Sequence, residues 1–94
     1  TVGVLLGMGA GAFGSLATFS TGTGNQPFGI TVADVNGDGK LDLLTANLTS
    51  DNAGVLLGNG NGTFQTAVTY SAGAGSAPHS IVAADVNGDG KPDL

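Results

Sequence analysis

Apolar residues along this chain come in short runs that alternate with small polar ones, and turn residues separate the runs. That is the period-2 signature of strands, not the 3.6-residue spacing of helices. Four such runs fill the middle of the chain: Gly29 to Asp34 (GITVAD), Leu41 to Asn47 (LDLLTAN), Ala53 to Leu57 (AGVLL) and Phe64 to Tyr70 (FQTAVTY). An Asp/Asn/Gly-rich loop joins the first two, and GNGNGT joins the last two. Runs of roughly 5–7 residues with these turns predict a four-stranded antiparallel meander.

The pattern then repeats at an offset of 51. Val4-Leu5-Leu6-Gly7 returns as Val55-Leu56-Leu57-Gly58, Phe13 as Phe64, Pro27 as Pro78, Ile30 as Ile81, and Asp34 to Lys40 as Asp85 to Lys91. More than half of the overlapping positions are identical and no insertion interrupts them. A four-stranded sheet in each period of about 40–50 residues is the pattern of a β-propeller blade. The expected organisation is therefore all-β. Residues 1–20 supply the third and fourth strands of one blade, 21–71 a complete blade, and 72–94 the first strand and acidic loop of the next. A propeller takes typically 4–8 blades, so about two repeats read as a segment of a longer array.

Composition supports strands. The chain has 18 Gly among 94 residues and neither Arg nor Glu, so polar positions fall to Thr, Ser, Asn and Gly, which favour strands and turns. There is no cysteine, which excludes a disulfide framework. No apolar run approaches the roughly 20 residues that cross a bilayer. With Lys40 and Lys91 as its only basic side chains, the chain lacks the electrostatic footprint of a nucleic-acid binder.

The net charge of −5 is concentrated rather than spread. Of the seven acids only Asp51 stands outside two nine-residue loops, DVNGDGKLD (Asp34 to Asp42) and DVNGDGKPD (Asp85 to Asp93). Both read D-x-N-x-D-G-x-x-D. Side-chain oxygens are offered by Asp34, Asn36, Asp38 and Asp42, and again by Asp85, Asn87, Asp89 and Asp93. The backbone carbonyls of Lys40 and Lys91 add one donor each. This all-oxygen set suits Ca2+, which takes 6–8 oxygens, and the absence of His, Cys and Met from both loops argues against zinc or copper. Gly39 and Gly90 fall where a calcium loop turns sharply. A plain polar turn is the bland alternative, but three carboxylates in nine residues repel one another without a cation, and the spacing is kept twice. An EF-hand or dockerin would need helices and an acid at loop position 12, where Thr45 stands in a β-patterned run.

The loops, the Pro27-Phe28-Gly29-Ile30 entry and the VLLGNGNGTF hairpin together resemble the FG-GAP repeat, also called the VCBS-type repeat, of integrin α-subunits and bacterial surface proteins. His79-Ser80 departs from the Phe28-Gly29 of the first copy. The resemblance implies one calcium between the first and second strands of each blade. The expected protein is extracellular or on the cell surface, recognises a protein or glycan ligand and packs against neighbouring repeats of the same or an identical chain. Asp51, His79 and the two loop lysines supply no cluster away from the calcium loops, so it is not expected to be an enzyme. Two other readings remain open at this level: a self-assembling filament of blades, and a non-catalytic part of a calcium-dependent polysaccharide-degrading enzyme. The candidate ligand loops are Thr21 to Gln26, Ala72 to Ala77 and Leu48 to Asn52, at the opposite end of the blade from calcium. Gly9 to Gly14 matches GxGxxG, but its counterpart at Gly60 loses the last glycine, so the stretch is expected to be a hairpin turn.

Overall fold

A computed structural model describes all 94 residues, Thr1 to Leu94. The chain forms eight strands and no helix: β1 (Val2–Val4), β2 (Gly7–Gly9), β3 (Ala12–Phe13), β4 (Ala17–Phe19), β5 (Pro27–Ala33), β6 (Asp42–Asn47), β7 (Asn52–Leu56) and β8 (Val68–Ser71). Strands β5 to β8 make one antiparallel sheet in chain order, the meander that the alternating runs predict. β1 pairs with β4, and β2 with β3, in two smaller sheets.

Pairing register repeats at the same offset of 51 as the sequence. Val4 opposes Ala17 as Val55 opposes Val68, and Gly3 opposes Thr18 as Gly54 opposes Thr69. The Gly7–Phe13 pair returns as a single bridge between Gly58 and Phe64, and the Ala33–Asp42 pair as one between Ala84 and Asp93. β5 begins two residues ahead of its run, β6 begins one residue behind, and β7 keeps its run's length shifted by one, so the marked shortening is in the last strand. The predicted run from Phe64 narrows to β8, its first half keeping the Gly58–Phe64 bridge and a Gln65 N–H to Leu57 carbonyl bond of 2.8 Å, and Ser80 to Asp85 keeps the single bridge from Ala84 to Asp93. The GxGxxG stretch is a hairpin turn: Gly9, which ends β2, and Ala10 and Gly11, which lead into β3, all take positive φ.

Every residue of β6 is buried, as expected for a strand flanked by β5 and β7 and covered on both faces. Alternation places Leu43, Thr45 and Asn47 on one face. There Leu43 and Leu56 pack with Val2 of the first unit, and Val4, Phe19, Phe64 and Ala67 close around them. Phe19 and Phe64 meet edge to face with centroids 5.2 Å apart and so pack between the two units. Phe13 and Tyr70 are exposed. The core is small: twelve residues are buried. The accessible area of 5646 Å² exceeds the roughly 4,850 Å² expected of a compact monomer of this mass.

At β5 the Phe28-Gly29 pair meets its own counterpart, His79-Ser80. Phe28 faces His79, the residue 51 positions on, with ring centroids 4.7 Å apart. Beside them the backbone of Gly29 approaches that of His79 and Ser80 so closely that a β-carbon would strike the His79 carbonyl oxygen. Glycine is thus required at position 29 by the neighbouring first strand.

Candidate metal centre

Each acidic loop folds around the carboxylate of its first aspartate. Asp34 Oδ1 accepts the N–H groups of Gly37 (2.8 Å) and Asp38 (3.3 Å), and Oδ2 accepts that of Gly39 (2.9 Å). Asn36 Oδ1 accepts the Asp38 N–H at 3.3 Å, and Asp38 Oδ1 accepts the Lys40 N–H at 2.9 Å. Gly37 and Gly39 take φ of 74° and 81°, the left-handed backbone that turns successive N–H groups inward.

The second loop reproduces this pattern atom for atom. Asp85 Oδ1 accepts from Gly88 (2.7 Å) and Asp89 (3.2 Å), and Oδ2 from Gly90 (2.8 Å). Asn87 accepts from Asp89 (3.3 Å), and Asp89 from Lys91 (2.9 Å). Two nonapeptides that differ only at Leu41 and Pro92 thus produce one geometry in two settings, the first beside a complete sheet and the second beside a single bridge. The local sequence dictates the loop.

These N–H groups fix the charge of the loop. The Gly39 N–H, aided by those of Gly37, Asp38 and Asn36 against a smaller opposing effect of burial, holds the Asp34 carboxyl below its ordinary value. The Gly90 N–H does the same for Asp85. At neutral pH both first positions are anionic.

The ninth position is different. Asp42 is fully buried at the start of β6, its Oδ2 accepting the Val35 N–H at 2.9 Å and its Oδ1 the Gly58 N–H at 2.8 Å. It locks both ends of its own loop together and ties the loop to the 58–64 hairpin. Asp93 accepts the Val86 N–H at 2.9 Å. The structure gathers Asp34, Asn36, Asp38 and Lys40 in one loop, and Asp85, Asn87, Asp89 and Lys91 in the other. It does not bring three carboxylates of either loop onto one point. The donors still fit a hard cation in kind: every one is oxygen, the first is held ionised, and a carboxylate oxygen that accepts an N–H keeps a second lone pair.

Sequence reasoning gave Asp51 no task. In the structure its carboxylate accepts the N–H groups of Gly75 (2.6 Å) and Ala77 (2.7 Å), and its carbonyl accepts that of Ala72 (2.8 Å), fastening the 72–77 connection. The first copy's connection is tied differently: Leu48 N–H donates to the Gln26 carbonyl at 2.9 Å, and Thr49 Oγ1 to Gln26 Oε1 at 2.7 Å. The three connections predicted as ligand loops therefore gather at one end of the sheet. The signal for Asp51 was its isolation: it is the one acid that no loop explains.

Asp51 also supplies a pH prediction. The Ala77 and then the Gly75 N–H hold its carboxyl below the ordinary 3.8, against a smaller opposing effect of burial. A folded value below the unfolded one gives stability that is present above the unfolded value and lost as pH falls through the folded one. Asp34 and Asp85 act in the same direction. In excess chelator the melting temperature is expected to hold down to about pH 5 and fall below about pH 4. Asp51→Asn should flatten that acid limb, as read by thermal melts across pH.

A family model described as an FG-GAP-like repeat matches the chain twice, over residues 1–45 and 34–94, so the two matches together cover its whole length and overlap on the first acidic loop. No curated protein and no solved structure matches the chain.

Proposed function

Since the chain belongs to the FG-GAP-like repeat family, we propose that it is a calcium-stabilised segment of a β-propeller that acts in adhesion or ligand recognition outside the cell. The observation that carries this reading is the identical folding of the two acidic loops around an ionised first aspartate. Asp34, Asn36, Asp38, the Lys40 carbonyl and Asp42 would hold one ion; Asp85, Asn87, Asp89, the Lys91 carbonyl and Asp93 would hold the other. Bound calcium supplies positive charge that offsets carboxylate repulsion, so that binding energy becomes folding energy.

In this reading calcium is structural, and the chain carries no catalytic group of its own. Extracellular calcium modules work at dissociation constants near ~10⁻⁴–10⁻³ M, which only a calcium-rich compartment fills. The β-sheet scaffold then presents the connections at Thr21 to Gln26, Leu48 to Asn52 and Ala72 to Ala77 to a glycan or protein partner. Neighbouring repeats cover the sheet faces that this segment leaves open.

Calorimetric titration tests the metal reading. Two calcium ions per chain are expected, falling to one in Asp34→Ala, with magnesium binding far more weakly at either site. An absence of binding heat, or an unchanged stoichiometry in the variant, would contradict it. Glycan and matrix-protein arrays probed with and without calcium test recognition: calcium-dependent spots support it, and uniformly blank arrays oppose it.

A further inference from the structure

The face of β6 and β7 that meets the first unit changes character along its length. At the end near the acidic loop it is apolar, with Leu43 opposite Leu56. Towards the other end it becomes polar: Thr45 stands opposite Gly54, and Asn47 opposite Asn52. Thr45 and Asn47 are completely buried, and so is Thr21, which follows β4 of the first unit. In this sealed place Thr45 Oγ1, Thr21 Oγ1 and Asn47 Oδ1 have no hydrogen-bond partner within the protein.

Buried polar groups without partners are rare, and three in one neighbourhood call for a common explanation. Gly54 marks the spot. The place its β-carbon would take lies 2.5 Å from Thr45 Oγ1, 3.2 Å from Asn47 Nδ2 and 3.9 Å from the Thr21 carbonyl oxygen. Asn47 spends its Nδ2 on Asn52 Oδ1 at 2.7 Å. Whichever way the two amides are turned, one polar atom of Asn47 is left over. The Thr21 carbonyl accepts Asn25 Nδ2 at 2.5 Å and so is not among the unmet groups. The unmet groups are therefore two hydroxyls and one amide atom, with no charged side chain among them.

We infer that this seam holds one internal water, bound by Thr45 Oγ1, Thr21 Oγ1 and the spare amide atom of Asn47. Water suits the set because hydroxyls donate or accept as needed, and a buried water typically makes about three such bonds. A metal cation is the poorer occupant, since no carboxylate is present to balance its charge. The site is not a general property of the repeat: the position 51 residues after Thr21 is Ala72, which has no hydroxyl to offer.

Thr45→Val in the full chain, at saturating calcium, distinguishes a bridged hydroxyl from an orphaned one. Valine keeps the shape and the β-branch. If water bridges the groups, its loss or weakening strands Thr21 and Asn47, and the melting temperature should fall by about 4–8 °C. An unchanged or higher melting temperature would show that the hydroxyl had no partner, and would overturn the inference. Water-to-protein cross-relaxation by NMR gives a second readout that does not depend on stability. The inference expects a long-lived water signal at the Thr45 methyl and the Gly54 amide, weakened in Thr21→Val. No such signal, or a melting temperature that rises when sodium or potassium replaces choline, would overturn it. Calcium binding by the acidic loops is measured separately, so failure here leaves that reading intact.

Discussion

Asp42→Ala is expected to destabilise the chain by about 2–4 kcal/mol with calcium entirely absent, because it strands the Val35 and Gly58 N–H groups that the buried carboxylate satisfies. For a chain of this length that is a large share of a total near 5–15 kcal/mol. The loss should appear as a much lower denaturant midpoint in excess chelator. Asp42→Asn keeps one acceptor and turns a donor toward the other N–H, so it should fall between wild type and alanine. Asp34→Ala provides the contrast. Its carboxylate serves the loop alone, so in chelator the variant should lose clearly less than Asp42→Ala, and its deficit against wild type should widen when calcium is present. If Asp42→Ala and Asp34→Ala behave alike in chelator, the buried anchor at position 42 is not what holds the 58–64 hairpin to the loop.

The difference between these two aspartates shows what the sequence can and cannot carry. Spacing alone identifies both loops, and the structure repeats their hydrogen bonds in each copy because Asp, Asn and Gly determine that backbone locally. The meander was legible for the same kind of reason, since alternation and turn residues act over a few positions. Asp42's second partner is 16 residues away in the next turn, and nothing in the nonapeptide announces it. The unequal aromatics were equally hidden: Phe13 and Phe64 match by repeat, yet only Phe64 finds Phe19 across a seam. Ile30 and Val32, apolar residues of a first strand, point outward and are more than half exposed. Pattern reading finds a strand but not the neighbour that covers it. The need for glycine at position 29 belongs here too, because it arises from contact with the following copy rather than from a turn.

The second large effect concerns calcium itself. Burial contributes little here: the core cluster has three buried apolar residues, Val2, Leu43 and Leu56, and the open faces leave more than a dozen large apolar side chains exposed. Six of the seven carboxylates sit in two loops, where folding brings like charges together. An ion that binds only the folded loops adds stability by mass action. With a dissociation constant of ~10⁻⁴–10⁻³ M, about 10 mM calcium gives roughly 1.4–2.7 kcal/mol per site. Two sites together then correspond to a rise of at least about 10 °C in melting temperature, given roughly 4–8 °C per kcal/mol for a domain of this size. Magnesium, which holds its water and demands a stricter octahedron, should give little of this shift.

The most direct measurement is therefore a pair of thermal melts of the 94-residue chain, one in excess EDTA and one in about 10 mM calcium after the chelator is removed. A melting temperature at least about 10 °C higher in calcium, and reversed by fresh EDTA, is the predicted result. Superimposable melts in the two solutions would contradict the assignment of the DVNGDGK loops as calcium sites.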